Sequence, residues 1–210
     1  APFEDNGGYS NSGAAYIFHR TGTGNSLNTW DSGVKIGHAS PASSDVFGMR
    51  VSISGDYVLV GSYGDDNGGT EFNNGSAHIF RRTTTGSNTW DLKTKLTASD
   101  TADSDAFGWS VAIDGDYAIV GAPQKNSYVG AAYIFRRTGT NTWDSGQQIV
   151  ASNGATNDRF GWSVSISGDY AIVGSPWDTV TGIGATVGSA YIFRRTGTGN
   201  SLNTWDTGIN

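Results

Sequence analysis

Carboxylates are the residues of this chain whose recurrence could do chemistry. Asp56, Asp116 and Asp169 each stand in a Gly-Asp-Tyr, and Asp114 adds a second acid to one of these sites. A lone Asp after Gly between two apolar runs reads as a turn residue, because its short side chain bonds its own backbone. Asp45, Asp105 and Asp158 each precede a Phe-Gly pair by two residues, which points to a repeated turn or strand-entry hydrogen bond. Asp65-Asp66-Asn67, with Glu4-Asp5-Asn6, forms a looser acidic set. Asp65 and Asp66 are the candidate ligands of a shallow metal site, the competing reading being a solvated loop.

Aromatic residues are the second candidate set. Trp30, Trp90, Trp143 and Trp205 recur at one position, each in an Asn-Thr-Trp-Asp. Arg81, Arg136 and Arg194 are expected across a hairpin from them, as a guanidinium clasp. Trp109 and Trp162 share a position with Met49, which implies packing. Trp177 is the unrepeated Trp, and with Asp178 it is the candidate ligand-binding pair. Asn74-Gly75-Ser76 is a sequon and makes Asn74 a candidate glycosylation site. His19, His38 and His78 are scattered, and none reads as a general base. No nucleophile elbow, HExxH helix or phosphate loop is present, so no catalytic residue is assigned and an enzyme is not expected.

Composition narrows the classes further. A formal charge of −6 with only 13 Lys and Arg repels nucleic acid and anionic lipid. The absence of Cys removes disulfides, Cys metal sites and Cys nucleophiles. No apolar run approaches the ~20 residues that span a bilayer as a helix. The chain begins at Ala1 without an initiator Met and reads as a mature or internal segment. Its 31 Gly, with aromatic and β-branched runs between them, indicate an all-β fold.

Internal repetition sets the architecture. FGMRVSISGDYVLVG at Phe47 returns as FGWSVAIDGDYAIVG at Phe107 and FGWSVSISGDYAIVG at Phe160. A second block, GAAYIFHR at Gly13, recurs from Gly75, Gly130 and Gly188. The repeated Trp residues lie 60, 53 and 62 positions apart, the size of a propeller blade or slightly more. Phe160, Trp162, Val164 and Ile166 alternate with Gly161, Ser163, Ser165 and Ser167, the period of a strand with one bulky and one small face. Gly-Asp then makes a tight hairpin, since Gly supplies a positive φ. Four strand-like runs per unit predict four-stranded antiparallel blades of a β-propeller.

FGWSVSISGDYAIVGSP and FGWSVAIDGDYAIVGAP resemble FG-GAP repeats, the blade unit of integrin α-chain propellers and many bacterial surface proteins. The resemblance implies a propeller presented outside the cell or on its surface. It also implies Ca²⁺ loops between the first two strands, but the SISGDY and AIDGDY links depart from that pattern and are too short to wrap a cation. No cofactor is therefore expected, Ca²⁺ included.

The strand count leaves the circle incomplete. Residues 1–46 hold the outer two strands of a partial blade, followed by blades at 47–106, 107–159 and 160–210, or about 3.5 blades. An open edge calls for completion by further repeats or further copies of the chain. The expected function is a non-enzymatic structural or adhesive module, assembling into a closed propeller or a filament. The alternative is a glycan-binding, lectin-like propeller.

Overall fold

The computed structural model describes residues 1–22, 28–67, 72–179, 186–198 and 202–209. Among them lie thirteen strands and one short helical turn, α1 (Lys125–Tyr128). β1 (Ala15–Ile17) and β2 (Val34–Ile36) form a two-stranded sheet. β3 (Val51–Ser54), β4 (Tyr57–Ser62), β5 (Ser76–Arg82) and β6 (Trp90–Leu96) form a four-stranded meander. β7 (Ser110–Asp114), β8 (Tyr117–Ala122), β9 (Ala131–Arg136) and β10 (Gln147–Ile149) repeat it. β11 (Ser163–Ser167), β12 (Tyr170–Ser175) and β13 (Ser189–Arg194) form the last sheet. All pairings within the sheets are antiparallel, as propeller blades require.

The last blade departs from the expected four strands. Its outer strand is reduced to two bridges, Arg195 with Trp205 and Ile192 with Ile209.

Each inner hairpin turns on its Gly-Asp pair. Ser54 pairs with Tyr57, Asp114 with Tyr117 and Ser167 with Tyr170, so the loop has two residues. φ is +57°, +54° and +55° at Gly55, Gly115 and Gly168 but not positive at the following Asp. That is the type II′ pattern, whose twist matches the strands it joins. The three Asp residues bond outward instead: Asp56, Asp116 and Asp169 pair with Arg82, Arg137 and Arg195 at the start of the outer hairpin.

Successive blades are joined by a glycine latch. Gly13, Gly75 and Gly130 form parallel bridges to Phe47, Phe107 and Phe160 of the next blade. A β-carbon on these three glycines would stand 2.1, 2.0 and 2.1 Å from the Phe carbonyl oxygen, far inside van der Waals contact. The Gly of each Phe-Gly pair returns the fit against Ala14, Ser76 and Ala131. Approach this close buries each Phe ring completely. Phe107 meets Tyr133 and Phe135 edge-on, and Phe160 meets Tyr191 and Phe193 in the same way. Three apolar clusters follow, one at each junction between blades.

A methyl group at Gly130 should break the latch it sits in. Gly130→Ala is expected to cost roughly 2–4 kcal/mol, combining the steric overlap with a positive φ. Gly115→Ala, where a β-carbon meets open space, should cost roughly 1 kcal/mol from backbone conformation alone. Urea denaturation compares the two; equal midpoints would remove the latch from the account of stability.

Candidate functional site

One polar niche recurs at the outer side of each blade, opened by the residue four positions after the inner Gly. Asp65, Lys125 and Asp178 hold this position, and in the half blade Glu4 takes the matching place against Tyr16. The facing residue is the third of the next strand, His78, Tyr133 or Tyr191, and in the half blade it is Tyr16, the second residue of the shorter β1. In the third niche Lys125 binds Asp105 at 2.9 Å, and Tyr133 donates to Asp100 at 2.6 Å. In the fourth, Tyr191 donates to Asp178 at 2.7 Å and meets the Asn153 amide. In the half blade Tyr16 and Lys35 both donate to Glu4.

The second niche is built differently. His38, just beyond β2, lies with Nε2 3.0 Å from Asp65 Oδ2. His78 on β5 has its Nε2 3.8 Å from the same oxygen and 2.8 Å from Ser76 Oγ. Ser76 donates to Asp65 Oδ2 at 2.5 Å, and Lys95 Nζ reaches that oxygen from β6 at 2.7 Å. The two imidazole rings meet edge to face, 4.5 Å apart. Asp65 and both rings are buried. Burial pushes the Asp65 carboxyl up, but bonds from His38, His78, Lys95 and Ser76 outweigh it and hold it far below the usual carboxylate range. Burial also lowers His38, yet the Asp65 hydrogen bond and charge, with Asp45, leave it raised. His78 is lowered, chiefly by burial.

A Ser, a His and an Asp therefore meet, but not as a nucleophile, base and orienter. A relay needs the acid and the nucleophile on opposite ring nitrogens. Here Ser76 and Asp65 both face His78 Nε2, and Ser76 has no exposed surface. Ser76 spends its proton on Asp65, so His78 Nε2 is the donor to Ser76 and carries a proton. The opposite nitrogen, His78 Nδ1, is buried and has no hydrogen-bond partner among the described residues.

The other sequence candidates separate. Asp66 accepts from the Asn73 backbone N–H at 2.7 Å, a separate bond from those that converge on Asp65. Asp5 accepts from Asn11, and Glu4 is held by Lys35. Asp178 is 1 % exposed and committed to Tyr191, so it does not present a ligand-binding face beside Trp177. Asn74 is 2 % exposed and accepts from Asn67 through Oδ1 at 2.6 Å, so a glycan on its amide would not fit the folded blade. Asp45, Asp105 and Asp158 each accept from the backbone N–H three residues earlier, at 2.6, 2.9 and 2.6 Å, which is the expected turn bond.

Six of the seven Trp residues fall into two groups, while Trp143 packs edge-on against Tyr57 with its Nε1 unbonded among the described residues. Trp30, Trp90 and Trp205 donate through Nε1 to the Asn two positions before, at 3.2, 2.8 and 3.0 Å. Asn88 and Asn203 then donate to Asp31 and Asp144 of the preceding blade. The partner of these Trp residues is thus Asn rather than Arg81, Arg136 or Arg194. The guanidinium contacts recorded at this rim go to tyrosine: Arg137 lies over Tyr57 and Arg195 over Tyr117, at 4.9 and 5.0 Å. Tyr63, Trp109, Trp162 and Trp177 form an aromatic row with centroids 5.0, 4.6 and 4.7 Å apart. Trp177 ends the row, 40 % exposed, with Arg159 over its ring. Residues 180–185 of its loop lie outside the described residues.

The half blade leaves a surface uncovered. Val51 and Ile53 on β3 are 58 % and 59 % exposed, whereas their counterparts Val111 and Ile113 on β7 are 8 % and 6 %. In the third blade those side chains lie under Tyr57 and Leu59 of the preceding inner strand. β1 has a partner only on its β2 side, so its inner edge is open. At the far end Tyr170, Ile172 and Ile192 are also exposed.

The profile of the FG-GAP repeat matches residues 30–80, 90–135 and 143–193. The chain belongs to the FG-GAP repeat family. Each matched segment begins at a repeated Trp and ends at the Phe of the third strand of the next blade. The FG-GAP unit is thus offset from the blade, and every unit crosses a latch. Comparison with curated proteins finds no match to the chain.

Two measurements check these placements. Phe160→Ala should cost about 3–5 kcal/mol, against ~1 kcal/mol or less for Trp177→Ala, in chemical denaturation. The reverse order would exchange core and rim. Millimolar Ca²⁺ should leave the melting temperature unchanged, because the inner hairpins spend their carboxylates on arginine; a Ca²⁺-dependent rise would locate a site there after all.

Proposed function

We propose that this FG-GAP chain is a non-enzymatic structural and adhesive module, working outside the cell and completing its propeller with further repeats. The reading is carried by one observation: Val51 and Ile53 are bare where the same side chains one blade later are buried. The open β1 edge beside them matches two strands of the inner-hairpin type, Phe160–Gly174 in this chain. β-augmentation supplies main-chain bonds at such an edge, and the apolar face supplies the affinity. The far face, Tyr170, Ile172 and Ile192, is the kind of surface onto which each following blade docks here. A contact from that face to the half blade of another copy is head-to-tail, which gives rings or filaments according to its rotation. Family membership supports an extracellular or surface setting, where FG-GAP repeats are typical. Among the described residues no helix is long and apolar enough to cross a membrane.

A second reading is glycan binding, favoured by the aromatic row that ends on the exposed Trp177 indole. It predicts that Trp177→Ala abolishes retention on a glycan array without altering assembly.

The assembly reading is tested by light scattering with mass resolution and by electron microscopy. The 210-residue chain should self-associate with rising concentration. Ile53→Lys and Ile172→Lys should each lower that association at least tenfold with the melting temperature kept. A cooperatively folded monomer at all concentrations, unaffected by either change, would falsify the proposal.

A further inference from the structure

The second niche differs from its repeats at two places at once. Across the blades His78 pairs with Val60 where Tyr133 pairs with Val120 and Tyr191 with Val173. His38 follows Ile36 by two residues, where Ala98 follows Leu96 and Ala151 follows Ile149. A Tyr and an Ala have thus become two histidines facing one carboxylate. Hydrogen bonding alone does not call for this exchange, because the Tyr niches are served by Asp100 and Asn153. It turns Nε2 of both rings toward the Asp65–Ser76 pair, where a phenol and a methyl group would offer no ligating nitrogen.

The distances fit an ion. The ligand atoms of His38, Asp65 and His78 all lie within 4.8 Å of one another. Zinc held at about 2.0–2.2 Å by tetrahedral N and O donors needs those donors roughly 3.3 Å apart. The 3.0 Å and 3.8 Å separations from Asp65 Oδ2 to the two imidazoles bracket that value. Two imidazoles and one carboxylate are borderline donors that suit zinc and its neighbours, whereas Ca²⁺ takes oxygen. Behind the first ring His38 Nδ1 accepts from the Ser40 backbone N–H at 3.2 Å, with Asp45 Oδ2 3.7 Å away, which holds the ring with Nε2 turned to Asp65. Lys95 Nζ, 34 % exposed on the outer strand, sets its charge on Asp65 at 2.7 Å. It has a free path outward, and acts as the built-in competitor of a metal.

We propose that His38, Asp65 and His78 form a binding site for a divalent transition-metal ion. The ion clips the loop after β2 onto the start of the β4–β5 connection and onto β5, joining the half blade to the first complete blade. This is the junction that lacks inner strands, so the clip stands where packing is thinnest. The inference is independent of assembly and of glycan binding.

The full chain is titrated with Zn²⁺ and Co²⁺, beside H38A/H78Y, which restores the residues that the other blades carry, and K95Q, which borrows Gln148 from the third. Wild type should bind one Zn²⁺ per chain with a melting temperature raised by several degrees. Hydrogen exchange should slow between Ala14 and His38, and Co²⁺ should give the intense visible absorption of a low-coordinate site. H38A/H78Y should stay folded and bind at least roughly 100-fold more weakly, and K95Q severalfold more tightly. Single H38A serves as a second variant, since Ala is native at the matching positions. Equal Zn²⁺ affinity in wild type and H38A would assign the ion to surface carboxylates and overturn the site. So would the absence of a Co²⁺ spectrum in wild type, whatever the variants do.

Discussion

A carbonyl oxygen pressed into the space where a glycine lacks its β-carbon is the contact on which the rest of this molecule depends. Because Gly75 and Gly130 admit the backbone of Phe107 and Phe160 at that range, adjacent blades bridge in parallel and the Phe rings are sealed. Sealing the rings sets the depth at which one blade face meets the next. The Asp two residues ahead of each Phe-Gly is a consequence: it ties down the turn that delivers the strap to the latch. Asn88 and Asn203 repeat the lock at the outer rim, each bonded to a Trp in its own blade and an Asp in the one before.

Between latch and rim lies the niche where blades vary without harm to the fold. Acid, lysine and tyrosine exchange places there, always with hydrogen bonds or ion pairs closing the set. Variation of this kind is cheap, since the latch already fixes the backbone around it. The histidine pair at the second niche uses that freedom at the junction with least apolar cover. The open surfaces at the two ends share one cause: a blade face is apolar because a neighbour normally lies on it.

Much of the fold was legible because the chain states its pattern several times. Phe-Gly, Gly-Asp-Tyr and Asn-Thr-Trp-Asp each mark one place in a blade, and period-two alternation sets the strand faces. The repeated Asp before Phe-Gly was read correctly for the same reason. Less legible were partners that sequence spacing hides. His38 and His78 are forty residues apart and belong to different blades, so each looked like a stray substitution. The signal was their departure from the repeat, a Tyr and an Ala replaced together. Proximity across a hairpin points from Arg to Trp, yet for Trp30, Trp90 and Trp205 the bonding partner is the Asn two residues before the indole. The sequon at Asn74 and the neighbour of Trp177 at Asp178 give no sign in sequence that both side chains are buried.

The offset between FG-GAP unit and blade sets the order in which the protein is made. A blade can pair its own strands as soon as they leave the ribosome, for hairpins close in microseconds. Its cover must wait: Tyr57 donates to the carbonyl of Thr140, 83 residues later, and Tyr117 to that of Leu202, 85 residues later. At ordinary elongation rates that is a delay of roughly 4–17 s during which one apolar face is wet. Each new blade therefore plays the part of a chaperone for the one before it. Tyr170, Ile172 and Ile192 on the sheet of β11 to β13 are bare in the way each earlier face was before its cover arrived.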